Sequence, residues 1–531
     1  MGRTACKYQV WNRAAPVTAD ECVFDRQALA KALKQTVDRS SDVQSHAKDV
    51  CPSRMATRLN LAMLFGLVLF ALAPMPEAFP KGVSTPLGTV YLPEIFGVTG
   101  TLLCVGYVTK VWRNGTQWIL VFLAAIVLFT LVGVLNGGEL GAAFRDVRGP
   151  LIFVCVIVMV LFSLRFDQAN LLRLGPRAVK LIVLWSAVAA ILGVAGLGGW
   201  ISGRFTAASL YGLGSSGESD LSRQLLSSGR MLVAVLCFYI IYFCRRPAAR
   251  VGFGNYAVLI SCSVALLLTF SRNHLVTVIA ALVVATIFAA RYTSAILCGT
   301  KLVAVSSGSI TLAGVLVATL SERFNSLIEN VSATFRTRVV EGLDPSVINV
   351  ESSAEWRDTE LQMAMSSIAS RFWLGTGFGS PYRSYAIGEV FSGSYGLTYI
   401  HNSFLWIPVK IGMPLALLIL VMWIGLFVRV WSKTQVNRES IGRDAILVLL
   451  ALCPAMYVAP TLFSTEGAPV LGGLVAIAVY AAKFPYFGLS GPPGERGISH
   501  ILLTDKTSAR DKRGAIGYRD GTEVIGRAGT A

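Results

Sequence analysis

The chain has 531 residues, of which 54% are hydrophobic and only 15% charged, with a mean hydropathy of +0.61; soluble domains carry roughly 25% charged residues, so this composition belongs to an integral membrane protein. A formal net charge of +17 would suggest nucleic acid as a partner in a soluble protein. Here no basic run is interleaved with aromatics as a nucleic-acid surface requires, and basic loops facing anionic lipid account for the excess. The ten cysteines lack metal-ligand spacing, and none falls between Ser321 and Ile400, which argues against a disulfide framework.

Residues 1–57 are polar and mixed in charge and read as a cytoplasmic tail with a short helix around 26–36 and no cleavable signal peptide. Apolar runs able to cross a bilayer, about 20 residues each, follow at 58–74, 91–109, 117–135, 149–164, 179–197, 230–244, 256–270, 274–290, 300–320, 402–428, 444–461 and 468–483. The expected fold is an all-α polytopic membrane protein of about twelve transmembrane helices, with nine spans in 58–320, a large helical outer loop at 321–401, three spans in 402–483 and a basic tail at 484–531. The basic residues alternate from loop to loop: Lys110 and Arg113, then Arg165, Arg173, Arg177 and Lys180, then Arg245, Arg246 and Arg250, then Arg429, Lys433, Arg438 and Arg443. By the positive-inside rule these loops and both tails face the cytoplasm, and the long loop faces the opposite side.

Arginines on the outer side run against that bias. They are Arg145 and Arg148, Arg204, Arg223, Arg230 and Arg272. Arg272 lies in Ser271-Arg272-Asn273-His274, a junction so short that it must stay near the membrane surface. In the long loop, Ser352-Ser353-Ala354-Glu355 is a capping box, and Leu361, Met365, Ile368 and Phe372 recur at helical spacing. A helix over 354–373 follows, stopped by Gly375, with Arg357 one turn before Leu361. The run Gly375-Thr376-Gly377-Phe378-Gly379 lacks the strand and lysine of a nucleotide loop and reads as a tight turn that lets backbones pack closely. Beyond it, Tyr382, Tyr385, Tyr395 and Tyr399 offer either apolar faces for sugar rings or an interfacial aromatic belt.

His401 closes this loop where the tenth apolar run begins. Imidazole is the side chain that exchanges protons near neutrality. A neutral ring there is a competent base for an attacking hydroxyl, which contributes about 10²–10⁴ in rate. Asn402 could orient the ring or a substrate hydroxyl, and His274, Arg145, Arg148 and Tyr399 are further candidates for holding substrate. Arg272 and Arg357 have the bidentate, permanently charged groups that phosphate oxygens need. No Asp-x-Asp pair occurs, and Glu218-Ser219-Asp220 is only a weak metal motif, so arginine is expected to neutralise a leaving group without metal or cofactor. Lys410 falls within the tenth run, nine residues after His401. An intramembrane lysine is a functional candidate, either lining a phosphate cavity or paired with an acid such as Glu466.

Ser271-Arg272 heading a span, Trp356-Arg357 leading a helix into Trp373-Leu374-Gly375-Thr376-Gly377-Phe378-Gly379, and His401-Asn402-Ser403-Phe404-Leu405 followed by Gly412 together resemble the O-antigen ligase and polymerase superfamily. The resemblance covers 230–480 and the overall plan of spans. It implies a GT-C-like membrane glycosyltransferase that moves a glycan from undecaprenyl pyrophosphate to a hydroxyl of another glycan or of the lipid A core, without metal. His401 would be the base, and Arg272 and Arg357 the pyrophosphate ligands. His274 directly after Arg272-Asn273 departs from the pattern. The alternative is a polysaccharide or lipid-linked-sugar transporter, whose usual midplane charges and internal repeats are, Lys410 aside, missing from these runs.

Overall fold

The computed structural model describes residues 52–75, 82–85, 88–111, 113–192, 228–245, 253–269, 271–288, 308, 336, 352–384, 397–434, 440–459, 461 and 464–484. The chain divides into a short N-terminal unit, residues 1–54, and a body, residues 55–531. The described residues are mostly helical: α1 (Arg54–Leu72), α2 (Leu92–Val111), α3 (Arg113–Leu135), α4 (Leu140–Phe166), α5 (Gln168–Leu192), α6 (Gly229–Arg245), α7 (Phe253–Leu267) and α8 (Arg272–Phe288). Then come α9 (Ser352–Ser370), α10 (Ser403–Ile411), α11 (Met413–Lys433), α12 (Ile441–Ala451), α13 (Cys453–Val458) and α14 (Gly467–Lys483). A small hairpin, β1 (Gly82–Thr85) with β2 (Gly88–Tyr91), joins α1 to α2 in antiparallel register with Val83 opposite Val90.

All the expected apolar runs except 300–320 fall on these helices. Among the described residues, five spans, α1, α4, α5, α11 and the α12–α13 pair, are long and apolar enough to cross a membrane. The run at 300–320 (bar Gly308), the helix at 26–36, Arg204, Glu218, Asp220, Arg223, Tyr385, Tyr395 and the tail at 484–531 (bar its first residue) lie outside the described residues.

The 27-residue α4 is the axis, packed against α14, α2, α3 and α5. Where chains are apolar all round, helices associate through close packing at small residues and through polar side chains. Both occur here. A Cβ on Gly472 of α14 would stand 2.7 Å from the Phe153 carbonyl of α4. Asn60 of α1 donates to the Met159 carbonyl at 3.2 Å and to Ser163 Oγ at 2.9 Å. A second group forms around α6, which packs on α7, α8 and α12.

The charged groups sort to two ends of this body. At one end Arg245 pairs with buried Asp444, Arg443 stacks on Trp431 at 4.0 Å, Gly442 abuts Ala481, and Arg165 lies over Phe484 at 5.7 Å. At the other end the starts of α6, α8 and α14 meet the end of α13. Gly229 lies against the His274 ring, Arg230 pairs with Glu466 at 3.5 Å, and Ser403 Oγ donates to the Ala459 carbonyl at 2.9 Å. His401 and Arg272 lie at this second end.

Three features differ from expectation. The tenth run is two helices, broken at Gly412, whose φ of 81° suits glycine and whose Cβ would lie 2.2 Å from the Trp373 carbonyl. The nine-residue α10 is about 13 Å long, too short to cross, so Lys410 lies on a half-length helix and not within a continuous span. Second, α4 begins at Leu140 rather than 149, which puts Arg145, Asp146 and Arg148 on its first turns. Third, the buried face of α9 is Glu360, Ala364, Ser367 and Ile368, while Met365 and Phe372 are exposed. Ala364 and Ser367 let α9 approach α10 closely, Ile368 joins the core there, and Met365 and Phe372 turn away.

Candidate active site

The site is held by a clasp that starts where α9 ends. Gly375, Gly377 and Gly379 all have positive φ. At Gly377 a Cβ would lie 2.1 Å from the Gly133 backbone nitrogen, so no side chain fits. The amides of this run are all spent on the protein. Gly375 N donates to Arg371 O at 2.9 Å, Thr376 N to Val409 O at 2.7 Å, Gly377 N to Lys410 O at 3.0 Å and Phe378 N to Phe129 O at 2.9 Å. Gly379 N donates to Asp146 Oδ2 at 2.8 Å. No donor in the run is left for a phosphate, and its chemistry is packing: it ties α9 to α3, α4 and α10.

Lys410 completes the clasp. Its side chain is fully buried, with Nζ 2.8 Å from Asp146 Oδ2 and a second bond to the Ser380 carbonyl at 3.0 Å. The acid partner is therefore Asp146 of α4, and Glu466 is engaged by Arg230. A buried ion pair is tolerable only when further hydrogen bonds satisfy both ions, and Gly379 N and Ser380 O supply them.

The clasp fixes the start of α10. Asn402 is its N-cap: Oδ1 accepts from Phe404 N at 2.9 Å and Leu405 N at 3.3 Å. An Asn or Asp side chain that takes up these otherwise unbonded amides is a strong helix start, so Asn402 has a structural task irrespective of substrate. It sets the direction of His401, immediately before it.

His401 faces α9. Its Nδ1 lies 3.1 and 3.2 Å from the two carboxylate oxygens of Glu360, and its backbone N–H donates to both at 3.3 Å. Glu360 is buried, with 5% of its surface exposed, while 29% of the His401 side chain is open. Tyr399 packs edge-on against the imidazole at 5.0 Å. Together they border a cleft of about 210 Å³ lined by Arg357, Asp358, Glu360, Leu361, Ile400, His401, Asn402, Leu405, Tyr457 and Val458. The structure thus brings His401 and Arg357 together, with Arg357 exposed one turn from Glu360 on α9.

The other candidates are placed around this cleft. Arg272 is the first residue of α8, half-buried, and is not one of the cleft-lining residues; α8 packs on α13, whose Tyr457 and Val458 line it. His274 Nδ1 is 3.0 Å from Thr269 Oγ1. That hydroxyl gives its only hydrogen to Leu266 O at 2.6 Å, so Nδ1 is the donor to it. Arg145 sits half-buried on α4. Arg148 pairs with Glu94, donates to Thr89 O at 2.8 Å and stacks over Tyr91 at 4.4 Å, anchoring the hairpin. Sequence reading missed Glu360, Asp146 and Tyr457. Only Glu360 left a trace, three residues after Arg357 and hence on the same helix face.

A search of curated proteins finds no match to the chain. Residues 256–420, which run from α7 through α9 and the clasp to α11 and include Arg272, Arg357, Glu360 and His401, match the protein family described as O-antigen ligase, and this match supports the likeness of that part of the chain to the O-antigen ligase and polymerase superfamily.

Proposed function

We propose that the chain is a metal-independent membrane glycosyltransferase that moves a glycan from undecaprenyl pyrophosphate to an acceptor hydroxyl on the periplasmic face of a bacterial inner membrane, as an O-antigen or exopolysaccharide polymerase or as an O-antigen ligase. The observation that carries this reading is the cleft in which an open His401 and an exposed Arg357 share one wall. The acceptor O–H gives its proton to His401 Nε2 as its oxygen bonds to the anomeric carbon. The bond from that carbon to the pyrophosphate breaks, and undecaprenyl pyrophosphate leaves with the electron pair. Arg357, with Arg272 at the same end of the body, balances the charge on the leaving oxygens through bidentate hydrogen bonds. The partners are then the lipid-linked glycan, an acceptor glycan or the lipid A core, and the bilayer itself.

The test is complementation of a deletion strain, read as surface glycan on a gel. His401→Ala and Arg272→Ala proteins insert normally but restore no glycan; full restoration by both contradicts the reading. In the deletion strain, a single repeat left on the core identifies a polymerase. Loss of all core-attached glycan, with long lipid-linked chains accumulating, identifies a ligase. Activity of the purified protein survives excess chelator; its abolition contradicts metal independence.

A further inference from the structure

We infer that Glu360 is the positioning residue for His401, fixing which ring nitrogen carries the proton and sharing the positive charge that forms during transfer. This rests on the reading of His401 as the base. An ionised carboxylate only accepts hydrogen bonds, so Nδ1, 3.1 and 3.2 Å from its two oxygens, must be the protonated nitrogen. Nε2 then keeps its lone pair and makes no hydrogen bond among the described residues. The same carboxylate also accepts the His401 backbone N–H at 3.3 Å. It therefore holds the ring at two points and fixes its angle as well as its tautomer. The second hydrogen-bond partner of a working imidazole commonly sets its tautomer in this way.

The location of Glu360 favours the same role. It is almost fully buried on the inner face of α9, next to Ala364, which packs with Ile400 and Trp406. Glu360 of α9 and Tyr399 meet the ring itself, while Arg357 and Asp358 of α9 and Tyr457 of α13 line the same cleft. Of these only Glu360 meets Nδ1. When the acceptor hydroxyl transfers its proton to Nε2 the ring becomes an imidazolium, its two N–H groups directed to Glu360 and to the acceptor oxygen. The proton leaves Nε2 once the acceptor is glycosylated, and the ring returns to its starting tautomer.

Glutamine at this position keeps one carbonyl oxygen and replaces the other with a donating N–H₂. With the oxygen accepting the backbone N–H, the N–H₂ faces Nδ1 and favours the opposite tautomer. Glu360→Gln is therefore expected to lower kcat about 10²–10⁴-fold, the range over which a positioned base contributes, with KM for the lipid-linked glycan little changed. The assay uses purified protein in detergent, lipid-linked glycan isolated from the deletion strain as donor, and lipid A core from that strain as acceptor.

The readout that a merely structural role would not move is the ¹⁵N spectrum of the histidines, with His401 assigned by its loss in His401→Asn. The wild-type ring is expected in the Nδ1-protonated form at neutral pH, and Glu360→Gln is expected to shift it towards the Nε2-protonated form. A wild-type ring protonated on Nε2 overturns the inference without any variant. So does a Glu360→Gln enzyme with kcat within about threefold of wild type while His401→Ala is inactive, or one that loses kcat with an unmoved tautomer. Full activity of His401→Ala is a separate outcome: it removes the base, and this inference with it.

Discussion

At the scale of single residues the site is a division of labour among charges. Glu360 and His401 form an open pair at a cleft, whereas Lys410 and Asp146 form a closed one behind it. Removing one member of a buried pair leaves an uncompensated charge at a cost of about 3–5 kcal/mol. Lys410→Met and Asp146→Asn should each lower the thermal stability of the detergent-solubilised protein by that order. The double variant is neutral and keeps an acceptor for Gly379 N, so it should recover most of the loss. A double variant as unstable as the sum of its parts would show that the pair is not coupled. His401 and Arg357 were legible because each stands at a marked place in the sequence, the head of an apolar run and the second turn of a helix with a capping-box start. Glu360 was not, since a glutamate on a loop helix reads as a solvated charge until the face of α9 is known. Asp146 was hidden because the charged first turns of α4 fall outside any purely apolar window.

At the scale of elements, the glycine run is a fastener and not a ligand loop. Gly377→Ala sets a Cβ against the Gly133 backbone, where no side-chain movement can relieve it, at a φ of 79° that disfavours alanine. The expected result is loss of monodisperse protein in detergent. A well-folded Gly377→Ala protein lacking only activity would instead argue for a direct role in substrate binding. The same physics explains the misread tenth span. Lys410 aside, the run from Phe404 to Val428 is apolar, so apolarity alone predicts one helix, yet Gly412 followed by Pro414 is a stop-and-start signal. The break lets α10 turn its start, with Asn402 and His401, towards α9.

At the scale of the molecule, the apolar runs were the most legible feature, because each is long enough to mark a helix without knowledge of its neighbours. The outer loop was legible only where it carried helix signals. Its packing was not, since the contacts of α9 are made with elements distant in sequence. If the cleft end faces the periplasm, a lone cysteine at Ser366, exposed on α9, reacts with an impermeant maleimide in cells with a permeabilised outer membrane. One at Lys433 reacts only after the inner membrane is opened; the reverse pattern contradicts this orientation. The proposed role of His401 as the base for glycosyl transfer is tested by following release of undecaprenyl pyrophosphate from purified lipid-linked glycan by wild-type and His401→Ala protein in the presence of acceptor. Release is expected to fall about 10²–10⁴-fold in the variant while the glycan still binds; release at the wild-type rate would contradict that role.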